Sequence, residues 1–451
     1  MEVTQQPSTD KRNNFLGKIM TKIDLARINR LQTALLFLPL LLLYVIIVVH
    51  FYSIHDVGDA GNYLIYAKRI LSGIHFSNPA DVKLMWGPGY PIFLIPFVAL
   101  KLPLLSAKIC NALFLYGAIL FLFSTLKIVV KPGAALFAAY AAGLYIPFYP
   151  QLPVLFTEPM VYFLVSGMLY YSFRLIQKKS LSWPDLLICS LFTAYLALTK
   201  VFYGYVILTC LLVYAAFYLI RRKAQTLRML LVFLLALVWC MPYLAATYHL
   251  TGKIFFWGAS GGGQLFWMTT PYANEYGDWI AISEVRNNPE LLARYGAVLN
   301  PIFSKSQPES DAMLKALAVK NIIQHPTKYF INWVANLGRL VFEYPYSYSP
   351  QTMNALFFIL PNSILLTLVL LSLLPAFKRW KQIPYEIKTL TLFAGVALGG
   401  TSLLSAYVRQ FTPTVPLIII WIAFIFSEVL QIRLVDTGQQ ALISSLPHRD
   451  P

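Results

Sequence analysis

The chain has 451 residues, of which 58% are hydrophobic and only 12% are charged. Soluble domains carry about 25% charged residues and do not need the long uninterrupted apolar runs seen here, so composition excludes an ordinary soluble protein. The net charge of +17 comes from basic residues that cluster at the ends of apolar runs. That placement follows the positive-inside rule of membrane proteins and argues against nucleic-acid binding.

The first hundred residues predict one membrane span followed by a structured outer loop. A basic N-terminus, 1–32, is predicted to be cytoplasmic, and the apolar run 33–51 is predicted to be an uncleaved signal anchor. The outer loop, 52–104, contains the pattern of a short amphipathic helix at about 59–72. Its later apolar stretch is short and interrupted by prolines, which predicts interfacial or re-entrant structure.

The remaining chain predicts an all-α integral membrane protein with about ten transmembrane helices. The membrane domain continues to residue 247, an outer-face segment covers 248–354 with helical spacing around 311–342, the last transmembrane helices fill 355–431, and the tail is 432–451. The basic loops connect alternate pairs of spans and so fall on one side of the membrane, which predicts that both termini are cytoplasmic. The further spans are predicted at 105–126, 134–150, 158–176, 185–200, 203–220, 229–247, 355–377, 388–406 and 412–431.

Two carboxylates at outer ends of spans are candidates for chemistry. Asp59 follows the first span and is a candidate general base towards an acceptor hydroxyl; the alternative is a helix N-cap. Glu158, in the motif Val154 to Met160, opens the fourth span and is a candidate for orienting an acceptor or a metal. The alternative for Glu158 is stabilisation of its helix through the dipole, with Thr157 as the cap.

Several cations and aromatic side chains lie at the same outer boundary. Lys83, Lys200, Arg339 and Arg409 are candidates for binding a donor phosphate, and contact with lipid headgroups is the alternative for each. Tyr63, Trp86 and Tyr90 are predicted to line the substrate site. The glycine-rich run 258–264 is interpreted as a flexible loop. Glu275 and Asp278 are interpreted as a solvated loop face, and the alternative is that they serve the acceptor.

The order of these motifs resembles a known family. GDAGNYLIYAKRILSG after the first span is followed by GPGYPIFL, by FTEPMVYFLVSGMLYY opening the fourth span, by ALTK closing the fifth, and by SAYVRQFTPTVPLI between the last two. Over about 35–430, this resembles the bacterial polytopic membrane glycosyltransferases of the GT-C type, protein-mannosyltransferase-like, which include relatives of the dolichyl-phosphate-mannose–protein mannosyltransferases.

The resemblance implies a polyprenyl-phosphate sugar as donor and a base at Asp59, with Glu158, Lys200 and Arg409 at the family's other acidic and basic positions. Two features depart from the family pattern. Ala60 follows Asp59 where an Asp-Glu pair is common, and residues 87–89 lack the lysine found in enzymes that add aminoarabinose to lipid A. The second departure argues against that substrate.

The resulting hypothesis is an inverting hexosyl- or pentosyltransferase with a periplasmic active site in a bacterial inner membrane. Its partners would be the lipid-linked sugar, the bilayer and a glycan, lipid or protein acceptor, without nucleic acid. No cofactor is certain, and a divalent metal stays open, as do the sugar and the oligomeric state. The alternatives are a transporter or flippase of a lipid-linked saccharide, and a polymerase or ligase that uses lipid-diphosphate oligosaccharides.

Overall fold

The structure, a computed structural model, describes residues 28–52, 58–77, 84–348 and 353–430. Within those ranges every regular element is helical, as expected for an all-α membrane protein. The predictions for the basic N-terminus up to residue 27, for Lys83 and for the tail from 431 lie outside the described residues.

Helix α1, Arg30–His50, begins at a capping box. The Asn29 side chain accepts a hydrogen bond from the Gln32 backbone, and the Gln32 side chain accepts one from the Asn29 backbone, both at 2.9 Å. The predicted loop helices follow as α2, Asp59–Leu71, and α3, Gly89–Ala99. At eleven residues α3 is about 16 Å long, too short to cross a hydrocarbon core of about 30 Å.

The central bundle consists of α4 to α9. These helices are Leu104–Val129, Pro132–Gly143, Glu158–Gln177, Trp183–Thr199, Phe202–Arg221 and Ala224–Thr251. Three helices complete the bundle at the end of the chain, namely α15, Leu356–Lys378, α16, Tyr385–Ser402, and a last span, Val408–Val429. The last span starts with the short helix α17, Val408–Phe411, and continues through α18, Val415–Phe424.

Seven described helices are long and apolar enough to cross a membrane: α1, α4, α6, α8, α9, α15 and the last span. The other three predicted spans, at 134–150, 185–200 and 388–406, are helices that are shorter or more polar than these seven. Helix α5 has only 12 residues, about 18 Å, and a 3-10 helix, Ile146–Gln151, adds about 12 Å. Helix α7 has 17 residues, and α16 has 18 with a more polar composition.

The helix ends fall into two groups. At one end, here named the basic end, Asp185 contacts Lys178 at 2.5 Å, and Arg228 donates to backbone carbonyls at the end of α6. Arg379 donates to the carbonyl of Val429 there, at 2.7 Å. The opposite end, here named the site end, carries α2, α3 and the segment between α9 and α15.

That segment forms five helices around an apolar core of its own. They are α10 to α14: Gly261–Met268, Ile282–Asn287, Pro289–Phe303, Gln307–Gln324 and Pro326–Phe342. The core contains Phe266, Trp267, Leu291, Tyr295, Leu299 and Leu314. The segment therefore buries its apolar residues against one another as well as against the bundle.

Two predictions about this segment are wrong. The run 258–264 is not a flexible loop, because it opens α10 and its Gly262 and Gly263 amides donate to Asp311 at 2.7 and 3.1 Å. Glu275 and Asp278 are buried, with 1% and 5% of their surface exposed, and do not form a solvated face.

Candidate active site

Asp59 and Arg409, far apart in the chain, form an ion pair at the site end. Arg409 Nη1 donates to Asp59 Oδ2 at 2.7 Å. The side chains keep 34% and 23% of their surface exposed, so the pair can be reached from outside. Gly58 is the N-cap of α2, and Asp59 makes no side-chain capping bond. The N-cap alternative for Asp59 is therefore wrong.

Arg409 retains hydrogen-bonding capacity beyond this contact. Within the described residues its Nε and Nη2 groups have no acceptor, while the guanidinium carbon lies 5.8 Å from the ring centroids of Phe156 and Tyr407. Two aromatic faces flank the cation and favour its position through cation–π attraction. Arg409 is thus held by Asp59 and two rings, with donors left for an anion.

Glu158 and Lys200 form a second, deeper ion pair. Lys200 Nζ lies 2.7 Å from Glu158 Oε1, and the Glu158 side chain is only 2% exposed. Glu158 is the first residue of α6, where the helix dipole favours a negative charge. Thr157 is not a side-chain cap; its hydroxyl donates to Glu158 Oε2 at 3.2 Å. Burying this pair costs desolvation free energy that can exceed the attraction between the two charges, so the pair is weak evidence for a stabilising role.

Tyr63 joins the two pairs into one site. Its buried hydroxyl interacts electrostatically with Asp59, Glu158 and Arg409. Burial, followed by the two carboxylates, raises the pKa of Tyr63 well above its ordinary value. The phenol therefore stays protonated and is a neutral hydrogen-bond donor beside the charges. We call Asp59, Glu158, Lys200 and Arg409 the charge cluster.

The turn of residues 86–91 packs against the chain just before Lys200. A Cβ added to Gly87 would lie 2.1 Å from the carbonyl oxygen of Leu198, and one added to Gly89 would lie 2.6 Å from Thr199 Oγ1. Tyr195 also donates to the Gly89 carbonyl at 2.8 Å. The two glycines allow the turn to approach the end of α7 closely. This contact fixes the position of the backbone that leads into Lys200.

Helix α14 positions the segment that carries Arg409. Asn336 donates to the carbonyls of Ser402 and Leu404 at 2.8 and 2.7 Å and accepts from the Ala406 amide at 2.9 Å. Glu343, just beyond the helix, accepts from the Val408 amide at 3.0 Å. These contacts hold the backbone on the N-terminal side of Arg409.

Arg339 belongs to this positioning set and not to the charge cluster. It is fully buried, and burial lowers its pKa. Its five N–H groups are matched by five acceptors, the carbonyls of Ala406, Tyr276, Pro345 and Gly277 and the Asn336 side chain. No donor is left for a phosphate, so the prediction that Arg339 binds the donor is replaced by a structural role.

The three aromatic residues predicted to line the site have different environments. Tyr63 contacts the rings of Trp86 and Tyr90 at centroid distances of 6.0 and 5.2 Å. Tyr90 is fully buried, and its hydroxyl lies 3.4 Å from Asn111 Oδ1, so it packs in the core instead of lining a site. Trp86 remains partly exposed beside Tyr63.

Sequence reasoning did not identify Asn336 or Glu343. The available signal was the spacing of Asn332, Asn336, Arg339 and Glu343, which places polar side chains along one helical face of an otherwise apolar stretch. Among the described residues no three His, Cys, Asp or Glu side chains converge as a metal site would require. Both carboxylates of the charge cluster bind cationic side chains instead.

No protein-family model matches the chain, and no curated protein matches it. Among solved structures, it is similar to the archaeal oligosaccharyltransferase AglB from Archaeoglobus fulgidus in complex with an inhibitory peptide and a dolichol-phosphate. The TM-score is 0.48 at 14% identity, over 92% of this chain and 52% of that one. The chain thus spans about half the length of that protein.

It is also similar to ArnT from Cupriavidus metallidurans, in the apo state and bound to undecaprenyl phosphate. The TM-scores are 0.40 and 0.37, each at 14% identity and covering 87% of this chain and 77% of that one. A likeness at this level assigns no role to any residue, so the roles below rest on the geometry of the charge cluster.

Proposed function

We propose that the protein is a membrane glycosyltransferase of the GT-C type. It moves a sugar from a polyprenyl-phosphate donor to an acceptor hydroxyl at the site end, on the outer face of a bacterial inner membrane. The observation that carries the proposal is the charge cluster: four ionisable side chains from four separate helix ends converge beside Tyr63. The motif order supports the same assignment.

Positive charge at the boundary suits the departing phosphate. As the bond between the anomeric carbon and the phosphate oxygen breaks, negative charge grows on the polyprenyl phosphate. Arg409 is partly exposed and retains two donor groups, which fits bidentate binding of that phosphate. Lys200, held by Glu158, adds a second positive charge close by.

Asp59 accepts the proton of the acceptor hydroxyl. The acceptor oxygen forms a bond to the anomeric carbon on the face opposite the leaving phosphate, so the configuration inverts, and the proton moves to Asp59. Asp59 also receives a hydrogen bond from Arg409, the residue that binds the phosphate. The phosphate of the sugar donor and the base Asp59 are therefore positioned by the same guanidinium group, that of Arg409.

Asp59→Asn separates the base role from a purely orienting role. Asparagine keeps an oxygen that can accept the Arg409 hydrogen bond but cannot take up a proton. If Asp59 is the base, transfer falls about 10²–10⁴-fold; if it only orients Arg409, transfer is nearly retained. The assay gives purified protein in lipid a set of radiolabelled polyprenyl-phosphate sugars and a membrane extract as acceptor pool.

Glu290→Gln is the matched control. Glu290 is 59% exposed and forms a surface ion pair with Arg294 at 3.0 Å, so its loss removes an acid without touching the charge cluster. Transfer at native rate by Asp59→Asn would overturn the base assignment. If no donor tried loses its label to an acceptor while labelled lipid changes leaflet in sealed vesicles, a transporter replaces the transferase.

A further inference from the structure

A large groove opens at the basic end, on the side of the molecule away from the charge cluster. It has a volume of about 1020 Å³ and lies between the start of α1 and the ends of α4 and α6. Its walls extend from Lys127 down α4 to Gly117. Ten residues of helix correspond to about 15 Å, which is half of a hydrocarbon core of about 30 Å. The groove is thus as deep as one leaflet.

Among the described residues, four cations line the mouth of this groove and no carboxylate does. They are Arg30, Lys127, Arg174 and Lys178. Asp185 lies just outside and contacts two of them, Arg174 at 3.1 Å and Lys178 at 2.5 Å. Arg30 and Lys127 have no carboxylate partner among the described residues; Lys127 lies over the Phe123 ring at 5.1 Å. In the described part of the chain, one acid therefore faces four bases, which leaves an excess of positive charge at the mouth.

The interior of the groove is aromatic and apolar. Phe121 contacts Phe163 at a centroid distance of 5.4 Å and Tyr170 at 5.6 Å, and Tyr170 contacts Tyr171 at 5.1 Å. Gly117 lies at the deep end, where an added Cβ would come within 2.8 Å of the Phe163 ring. Because the cations sit at the helix ends and the rings lie deeper, the groove is polar at headgroup level and apolar at chain level.

We propose that this groove binds an anionic phospholipid of the leaflet opposite the transfer site. Its phosphate contacts Arg30 and Lys127, with Arg174 and Lys178 beside them, and its acyl chains lie along the aromatic wall. Basic pockets between transmembrane helices bind phosphate headgroups through the same combination of charge and apolar contact. The site is separate from the charge cluster, so it does not depend on the proposed transferase activity.

Charge argues against the other available occupant, the N-terminal segment of this chain. Residues 1–27 contain five Lys and Arg residues and three Asp and Glu residues, so that segment has the same sign of charge as the groove. A free anion would satisfy the cations but would leave the aromatic wall exposed. A phospholipid satisfies both.

The test measures lipid retention by the delipidated full-length protein with native mass spectrometry. Phosphatidylglycerol is added in parallel with phosphatidylcholine of the same chains. The expected result is selective retention of phosphatidylglycerol, reduced about fivefold by Arg30→Gln or Lys127→Gln and about thirtyfold by both, since each cation near the surface contributes about 1 kcal/mol. Arg221→Gln with Lys223→Gln, at the same end but outside the groove, is the matched control and retains lipid normally.

A second variant blocks the apolar part without changing charge. Ser124 lines the groove on α4, and the indole of Ser124→Trp occupies part of the space that the acyl chains would take. Phosphatidylglycerol retention therefore falls while the unfolding midpoint is kept. The proposal is overturned if phosphatidylglycerol retention is unchanged both in the Arg30→Gln/Lys127→Gln double variant and in Ser124→Trp. Equal retention of the two lipids by the native protein overturns it as well. Displacement by inorganic phosphate alone would show a free-anion site instead, and stronger displacement by polyprenyl phosphate would show a carrier site; either result also overturns it.

Discussion

Replacing Gly87 with alanine tests whether the turn of residues 86–91 fixes the end of α7. The new Cβ would lie 2.1 Å from the Leu198 carbonyl oxygen and 3.2 Å from Val201 Cγ1. The closest favourable carbon–oxygen contacts are about 3.3–3.6 Å. The backbone at residue 87 and the backbone at Leu198 must therefore separate by about 1 Å. A backbone carbonyl cannot rotate out of the way as a side chain can.

The expected cost is about 3 kcal/mol of unfolding free energy, the upper part of the range for overpacked positions. Because Leu198 lies two residues before Lys200, the separation also shifts Lys200 away from Glu158, and transfer falls with stability. The measurements are the unfolding midpoint of the purified protein by tryptophan fluorescence and the transfer rate at a temperature where both proteins are folded.

Gly133→Ala is the matched control, with the opposite sign. Gly133 lies in the first turn of α5, and an added Cβ would meet nothing within 4 Å. Alanine is favoured over glycine in a helix by about 0.5–1 kcal/mol, so this variant should be slightly more stable and fully active. Equal midpoints for Gly87→Ala and Gly133→Ala would refute the argument that the turn and α7 are in close contact.

Three further predictions concern the buried polar groups. Glu158→Gln leaves Lys200 without its anion and should lower the unfolding free energy by about 3 kcal/mol. The double variant Glu158→Gln/Lys200→Met should recover much of that loss, because the unpaired charge is removed as well. A double variant no more stable than the single one would contradict this. Asn336→Ala removes three hydrogen bonds to the 402–406 backbone and the one accepted from Arg339. It should cost at least about 3 kcal/mol in denaturant unfolding and lower transfer activity, whereas full activity would show that Arg409 does not need this support. Burial, then Arg69, lowers the pKa of His75 from 6.5 to about 4. The neutral form is therefore favoured on folding, and the stabilisation it gives above pH 6.5 is lost as the pH falls towards 4, so stability measured from pH 7.5 to 4.5 should fall less steeply in His75→Gln than in the native protein.

Local sequence patterns were sufficient for the helical class and for the placement of most helices along the chain. Apolar runs of about 20 residues identified most of the spans, and apolar spacing identified α2, α13 and α14. Hydropathy and helical period depend only on neighbouring residues, which is why they can be assigned without the fold. The alternating basic loops also predicted that Asp59, Glu158, Lys200 and Arg409 share one end, and the two ion pairs place them there.

Tertiary packing decided which of those residues meet. Asp59 and Arg409 are 350 positions apart, and no local pattern relates the two residues. Arg339 was an equally plausible phosphate ligand by sequence, yet helix packing surrounds it with five acceptors and gives it a structural role. Charge and hydropathy along the chain limit which helix ends share a side of the membrane, whereas the contacts between side chains depend on which helices pack as neighbours.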